Sequence, residues 1–224
     1  MSIAHVGGAN NTAAGPGTTV AVTRTMTAGS LALIWLQWSG GDTTVSVSDG
    51  SDTLVNGTKV TNTVTALFAW QLSAAGGSTT FTATVGASRT AFKMILLEFS
   101  KDALIALDTQ NTGTGSGDFH PASGAITTTA TDEVVIGGYG DVGGSTTTTE
   151  EINGVAATEP AESPAGGTTS AWYRILTATF AGGIAEANIG GSEAWICNIV
   201  AFKAVGSAAL TGTATASITE ADIV

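Results

Sequence analysis

Two carboxylates, Glu98 and Glu193, are the residues whose type and position could support catalysis. Each lies on or beside one of the two longest apolar runs of the chain, 91–99 and 194–202. Sandwich glycosidases use two carboxylates that face one cleft, about 5 to 10 Å apart. No further acidic motif surrounds either residue. The structural alternative is that Glu98 pairs with Lys93 or with a base on a neighbouring strand, or points to solvent near a strand end. The sequence therefore predicts a protein that is not an enzyme.

Aromatic side chains offer a second kind of chemistry, the stacking of sugar rings. The candidate ligand-binding residues are Trp38, Trp70, Trp172 and Tyr173, and Trp35 could extend the same platform. Four of these five residues fall within apolar strands, where burial in the core is the more common fate. Trp38 stands beside a glycine pair and is the best candidate for an exposed ring. A carbohydrate-binding module is thus the alternative to a purely structural protein.

No motif for a metal or another cofactor emerges. The run Asp49-Gly50-Ser51-Asp52 resembles a calcium loop, but it lacks the further acidic positions and the distal Glu of an EF-hand. The single cysteine, Cys197, lies in an apolar strand and is expected to be buried and inert. Neither His5 nor His120 is near it in the sequence. We therefore expect no catalytic, cofactor-binding or metal-ligating residues.

The elements that must position these residues are β-strands. The two apolar runs 91–99 and 194–202 are about nine residues long and lack a polar face, which predicts strands buried on both sides. Abundant Thr and Val, punctuated by glycine, indicate many short strands joined by tight turns. Asp49-Gly50 predicts a type I′ hairpin. Residues 101–107 allow at most one helical turn.

Composition excludes several classes of protein. The chain has 224 residues, of which 43% are hydrophobic and 11% charged, so disorder is not expected. Its longest apolar run is about half the roughly 20 residues that a membrane span needs, so we expect no membrane insertion. The net charge of −11 disfavours contact with phosphate backbones, so we expect no nucleic-acid partner.

The two halves of the sequence follow one plan. Leu31 and Phe99 are 68 residues apart, as are Val134 and Phe202. This spacing aligns Phe92 with Trp195, and by residue identity Ala69-Trp70 would align with Ala171-Trp172. We therefore predict half-repeats at about 18–100 and 123–205.

The predicted fold is all-β, a two-layer antiparallel sandwich of jelly-roll type with about ten to twelve strands and pseudo-repeated halves. Two small separate sandwiches are the alternative. Residues 1–17 are predicted to form an N-terminal arm, 18–205 the sandwich domain, and 206–224 a C-terminal tail. We also predict a Gly/Ser-rich connector at 111–117 and a long exposed loop at 146–167.

Several stretches resemble a widespread β-sandwich family that occurs in tailed-phage structural genes and in secreted bacterial proteins. The resemblance covers about residues 18–205. The tail 218–224 is similar to segments found near the C-terminus of phage-encoded proteins. The stretches that carry the family resemblance are 35–45, 48–50, 96–100, 132–138 and 199–202.

The resemblance implies a non-enzymatic virion component, either a capsid decoration or a tail or fibre protein, with no catalytic motif. The expected partners are further copies of the chain, other virion proteins and, in the alternative, a cell-surface glycan. A start at residues 1–8 without a signal peptide indicates synthesis in the host cytoplasm and a final location in the virion. The alternative location is extracellular. Residues 1–17 and 206–224 are expected to add as strands to the edges of neighbouring copies.

Overall fold

The structure is a computed structural model that describes residues 3–41, 44–102, 104–141, 143–160 and 168–205. Within these ranges it contains sixteen β-strands and no helix. An all-β sandwich protein is therefore confirmed. The strands are β1 (Ile3–Thr12), β2 (Gly17–Met26), β3 (Leu31–Ser39), β4 (Val45–Ser48), β5 (Val55–Asn56), β6 (Val60–Thr61), β7 (Val64–Gln71), β8 (Gly77–Arg89), β9 (Lys93–Lys101), β10 (Leu104–Ser116), β11 (Glu133–Asp141), β12 (Thr147–Ile152), β13 (Val155–Ala156), β14 (Thr169–Leu176), β15 (Ala185–Ile189) and β16 (Ala194–Val205).

These strands form four sheets. The first inner sheet has the order β1-β9-β3-β7-β5, with β6 also paired to β7, and the second inner sheet has the order β10-β16-β11-β14. The first outer sheet has the order β2-β8-β4, and the second has the order β13-β12-β15. Three apolar cores separate them: one between each outer sheet and its inner sheet, and a central core between the two inner sheets.

The central core explains why the strongest strands have no polar face. In β3, Leu33 and Trp35 face the second inner sheet, whereas Ile34 and Leu36 face the first outer sheet. Both faces are thus covered by apolar layers, as a central strand requires. The prediction of one two-layer sandwich is corrected to four layers, in which two sandwiches share a large core. The predicted count of ten to twelve strands was too low.

The repeated plan is visible in strand pairing. Leu31 pairs with Phe99 across β3 and β9, and Val134 pairs with Phe202 across β11 and β16. The offset between the halves is 103 positions for each of these strands, as the sequence spacing predicts. One alignment was wrong: Trp70 corresponds to Tyr173, not to Trp172, because Leu33 pairs with Trp70 where Ile136 pairs with Tyr173.

The first strand of each half was missed. Edge strand β1 pairs with β9 in the way that β10 pairs with β16, and both ladders contain a β-bulge. The unpaired residues of the two bulges are Val6 and Asp108. Each directly follows the residue that pairs with Phe99 or Phe202, so the bulges lie at equivalent positions of the two halves. The predicted arm 1–17 and connector 111–117 are therefore largely strands of the chain's own sheets. The halves run from 3 to 102 and from 104 to 205.

Three local predictions also need correction. Thr147–Ile152 and Val155–Ala156 form a hairpin where an exposed loop was predicted, and 104–107 extends as strand where a helical turn was allowed. The hairpin after β4 exists, with four residues between the bridged Ser48 and Thr53. It is not type I′, because Gly50 has a φ of 95° while Asp49 lies outside the left-handed region. The tail 206–224 lies outside the described residues.

Candidate functional site

The predicted aromatic platform does not form. Trp38 is fully buried in the core under the first outer sheet, and Trp172 is fully buried under the second. Trp70 and Trp35 lie in the central core. The four indoles therefore point into three separate cores, and none offers a face to a sugar. The glycine pair beside Trp38 was a misleading sign of exposure, since the alternation of β3 turns this side chain inward.

Two of these indoles have structural hydrogen bonds. Trp35 Nε1 donates to Thr169 Oγ1 over 2.9 Å and to the Tyr139 carbonyl over 3.2 Å, which links the two halves. Trp172 Nε1 donates to the Glu151 carbonyl over 3.2 Å. A buried indole N–H usually finds such a partner. Both residues thus hold sheets together.

Tyr173 is half-buried at the margin of the central core. Its ring centre lies 5.3 Å from that of Phe99 and 5.0 Å from that of His5. The His5 ring in turn lies 5.5 Å from Phe99. This aromatic group joins edge strands β1 and β14 of the two inner sheets, so Tyr173 contributes to packing between the halves.

The two candidate carboxylates do not share a cleft. Glu98 is fully buried in the first half, where its Oε2 accepts from Arg24 Nε over 2.9 Å. Glu193 is half-buried in the second half, with its carboxyl group against Gly143. The paired-carboxylate mechanism has no geometric basis here. Of the two ion-pair partners expected for Glu98, the structure has the base on a neighbouring strand, Arg24 of β2, and not Lys93.

Glu98 instead joins two strands to a turn. Its Oε1 accepts from the Thr27 backbone N–H over 2.6 Å, and Arg24 Nη1 donates to the Gly8 carbonyl over 2.8 Å. Burial tends to raise the pKa of Glu98, but hydrogen bonds from Thr27, Arg24 and Ser30 outweigh it and hold the pKa below its usual value. The carboxylate is therefore ionised and structural, and it fixes β1 beside β2.

A polar cluster lies where the two halves meet at the C-terminal ends of β3 and β11. Tyr139 Oη donates to Asp141 Oδ2, Lys93 Nζ donates to Thr168 Oγ1, and Gln37 Nε2 donates to the Asp141 carbonyl. Only Gln37 and Lys93 come from the first half. Sequence reasoning missed this cluster, because its members are far apart in the chain and match no motif.

Burial sets the ionisation of the cluster. It raises the pKa of Asp141, which Glu193 raises further, while hydrogen bonds from Tyr139 and Gly144 and the charge of Lys93 only partly compensate. Burial also lowers the pKa of Lys93 and raises that of Tyr139. Perturbed pKa values of this kind occur both in catalytic sites and in structural networks. Here the carboxyl oxygens of Asp141 are occupied by Tyr139 Oη and the Gly144 N–H, which favours a structural network. The bonds from Gln37 to the Asp141 carbonyl and from Lys93 to Thr168 then tie this network to the first half.

The remaining candidates are structural as well. Asp49 Oδ1 accepts from the backbone N–H groups of Ser51 and Asp52, and Oδ2 accepts from Gln71 Nε2. These bonds make it a turn residue and not a calcium ligand. Across the described ranges, no group of three His, Cys, Asp or Glu side chains could hold a metal ion.

Cys197 is fully buried, and its Sγ lies 3.4 Å from the Ala185 carbonyl oxygen. Burial raises the pKa of its thiol, so the thiolate nucleophile is disfavoured.

The described part of the chain has no helix that is long and apolar enough to cross a membrane. A shallow groove runs along β4 and β8, lined by Thr44, Val45, Ser46, Thr84, Val85 and Gly86. No family model, no curated protein and no solved structure matches this chain.

Proposed function

We propose that this chain is a non-enzymatic structural component of a virion, a capsid decoration or a tail or fibre protein, that works through assembly of copies. The observation that supports this proposal most directly is the order of the strands in the inner sheets. In each half the first strand lies beside the last one in the inner sheet, as β1 beside β9 and β10 beside β16. We infer from this order that each half is a jelly roll, a fold that builds viral capsid and lectin domains. The step from fold to virion is one of analogy.

The environment of the reactive side chains supports a structural role. Glu98, Asp141, Tyr139 and Cys197 are each fully buried and engaged in contacts between strands or between halves. Such groups stabilise a rigid body. A protein that must withstand assembly and release benefits from that rigidity, and we place it in the virion after synthesis in the host cytoplasm.

Light scattering on the full chain tests the proposal. A virion component that works through assembly should show a mass that rises above 22.1 kDa with concentration. Mass spectrometry of particles purified from the source of the sequence should then find its peptides at a stoichiometry of many copies per particle. A chain that stays monomeric at high concentration and is absent from the particles would overturn the proposal.

A carbohydrate-binding or adhesion module, located outside the cell, is the alternative. Lectin domains share the jelly-roll class, and the groove along β4 and β8 carries hydroxyl groups from Thr44, Ser46 and Thr84. A glycan array separates the two functions. Binding of one glycan class by a monomer, lost on replacing Ser46 and Thr84 by alanine, would favour the module over the virion protein.

A further inference from the structure

The solvent face of the first outer sheet is chemically uniform. Strands β2, β8 and β4 point every second side chain outward, because side chains alternate across a strand. Within the segments 19–26, 77–85 and 45–48 of these strands, the outward residues are exposed or half-exposed, and none is ionisable. They are Thr19, Ala21, Thr23, Thr25, Ser46, Ser48, Ser78, Thr80, Thr82 and Thr84. We call this surface the hydroxyl face.

The pairing register makes the face a regular array. Thr84 lies between Thr19 and Ser46 on the neighbouring strands, and Thr82 lies between Ala21 and Ser48. The hydroxyl groups of Thr23 and Thr80 are hydrogen bonded over 2.8 Å. The array presents methyl groups beside hydroxyl groups and carries no charge, which suits contact with another neutral surface.

The one charged residue of β2 does not reach this face. Arg24 turns inward, where it binds Glu98 and the Gly8 carbonyl. A guanidinium occupies the space beside Gly7, since a Cβ built there would lie 2.6 Å from Arg24 Nη2. Inward placement of this charge keeps the hydroxyl face neutral.

The corresponding face of the second half is acidic. On the second outer sheet, Glu151 and Glu186 lie directly opposite each other on β12 and β15, and Thr149 lies opposite Asn188. Like charges in this position repel. The two ends of the four-layer stack thus differ in charge although the halves share one plan.

We propose that the hydroxyl face binds the same face of a second copy around a two-fold axis. This inference rests on the proposed function, because it names the surface through which copies assemble. The chain carries a net charge of −11, so two copies repel wherever carboxylates face each other. Contact through the hydroxyl face avoids that repulsion, whereas contact through Glu151 and Glu186 would bring carboxylates of the two copies together. A self-complementary patch forms a closed, isologous dimer.

The size of the face limits the strength of this contact. Outward residues repeat at about 6.8 Å along a strand and strands lie about 4.8 Å apart, so the array covers roughly 300 Å² of sheet. A standard interface buries about 800 Å² on each partner. The dimer is therefore weak in solution, and many copies on one particle would strengthen it through multivalency.

Charge substitution tests the inference. In the full chain, Thr80→Glu with Thr84→Glu adds two carboxylates to the hydroxyl face, and Thr148→Glu with Thr149→Glu is the matched control on the second outer sheet. Sedimentation equilibrium would follow the average mass from 22.1 kDa towards twice that value as concentration rises. We expect at least a tenfold loss of association for the first pair and no loss for the control. Added salt should strengthen wild-type association by screening the net charge.

A mixture of oppositely charged variants distinguishes loss of the contact from misfolding of the variants. The Thr80→Lys, Thr84→Lys protein should also fail to associate alone, and an equimolar mixture with the Glu version should recover the dimer. The Lys and Glu versions of the 148–149 control, when mixed, should associate no better than the wild type. Each variant is first checked for a wild-type unfolding transition.

The outcomes separate this inference from the proposed function. If the wild type associates and the hydroxyl-face variants associate equally well, the face is not the contact, and assembly through another surface stands. If the mixture fails to recover the dimer, the two-fold contact is excluded. If the wild type remains monomeric at every concentration and salt level, both this inference and the proposed self-assembly are overturned.

Discussion

Trp70 packs edge to face against Phe202 across the boundary between the two halves, with ring centres 5.4 Å apart and planes at 76°. Tyr173 packs against Phe99 in the same manner, at 5.3 Å and 83°. Trp70 and Tyr173 are equivalent positions of the two halves, and so are Phe99 and Phe202. An approximate two-fold axis therefore runs through the central core, and the halves pack as the subunits of a symmetric dimer do.

This symmetry predicts equal importance for the two phenylalanines. Phe99→Ala and Phe202→Ala each remove a fully buried ring from the central core, and each should lower the free energy of unfolding by about 3 to 5 kcal/mol. The control Phe119→Ala removes a ring that is 51% exposed and should change stability by less than about 0.5 kcal/mol. Urea denaturation followed by tryptophan fluorescence measures all three. Separate transitions for the two halves would contradict a shared core.

Glycines 137 and 138 are needed where two indoles cross one strand. A Cβ at Gly138 would lie 2.7 Å from Trp35 Cδ2, and a Cβ at Gly137 would lie 2.4 Å from Trp172 Cε2. The two rings thus pack on opposite faces of β11. A glycine pair in the middle of a buried strand looks like a turn in the sequence, but here it makes room for side chains from other strands.

We therefore expect Gly138→Ala to cost about 1 to 3 kcal/mol through overpacking. Gly41→Ala is the matched control, because a Cβ there has no atom within 4 Å. Thermal unfolding by circular dichroism compares the two. A smaller residue opposite, as in Trp35→Phe, should reduce the cost of Gly138→Ala. Equal melting temperatures for the two glycine variants would show that Trp35 moves aside freely.

The strands that were predicted correctly are those whose own residues carry the signal. Runs such as 91–99 carry apolar residues on both faces of the strand, with Lys93 and Glu98 as the only charged members, and this pattern is typical of strands that are covered on both sides. Strands β1 and β10 were missed, because Gly, Asn and Thr dominate them and they gain stability from pairing and not from apolar side chains. Their place is set by the ladder with β9 and β16, which a local pattern does not contain.

The candidate site was less predictable for a similar reason. Residue identity aligned Trp172 with Trp70 of the other half. The face of the sheet on which a strand residue lies depends on register, however, and a shift of one residue moves its side chain to the other face. The Lys93, Thr168 and Asp141 cluster depends on how two halves pack. The alternation of Thr with other residues in β2 and β8 is visible in the sequence and indicates a face rich in hydroxyl groups. The charge difference between this face and the second outer sheet is visible only in the structure, where Glu151 and Glu186 pair.

Cys197 should resist thiol reagents in the folded protein. It is fully buried between Trp195 and Ile199 on the face towards the second outer sheet, and burial raises the pKa of its thiol. Labelling by a maleimide should proceed only in denaturant. Thr80→Cys provides an exposed thiol in the same fold and should label within minutes. Rapid modification of wild-type Cys197 without denaturant would contradict the described core.

Removal of the Glu98 partner should show a defined dependence on pH. Arg24→Ala leaves a buried carboxylate without its guanidinium and should cost about 3 kcal/mol at pH 7. The pKa of Glu98 is lowered in the folded state, so its stabilising contribution is present above the unfolded value of about 4.3 and is lost as pH falls through the folded value. The cost of Arg24→Ala should therefore shrink between pH 7 and pH 3. Denaturation curves at both pH values measure it, and a constant cost would contradict the ion pair.

Asp141 should show the opposite dependence. Its pKa is raised by burial above the usual value of 3.8, so the folded chain holds this proton more tightly than the unfolded chain does. Between the unfolded and folded pKa values the native state binds more protons, and stability then falls as pH rises. Ionised Asp141 thus lowers the free energy of unfolding at neutral pH, and the Tyr139 hydroxyl and Lys93 offset this loss only in part.

Asp141→Asn removes this ionisation while its amide oxygen still accepts from Tyr139. Relative to the wild type, we expect the variant to gain stability as pH rises from 4 to 7, by about 1.4 kcal/mol for each unit by which the folded pKa exceeds the unfolded one. Asp102→Asn is the control for the loss of one carboxylate from an exposed position. Chemical denaturation at pH 4, 5.5 and 7 measures the difference. Parallel curves for Asp141→Asn and the wild type would mean that Asp141 titrates normally and that the interface around Lys93 and Thr168 is open to water.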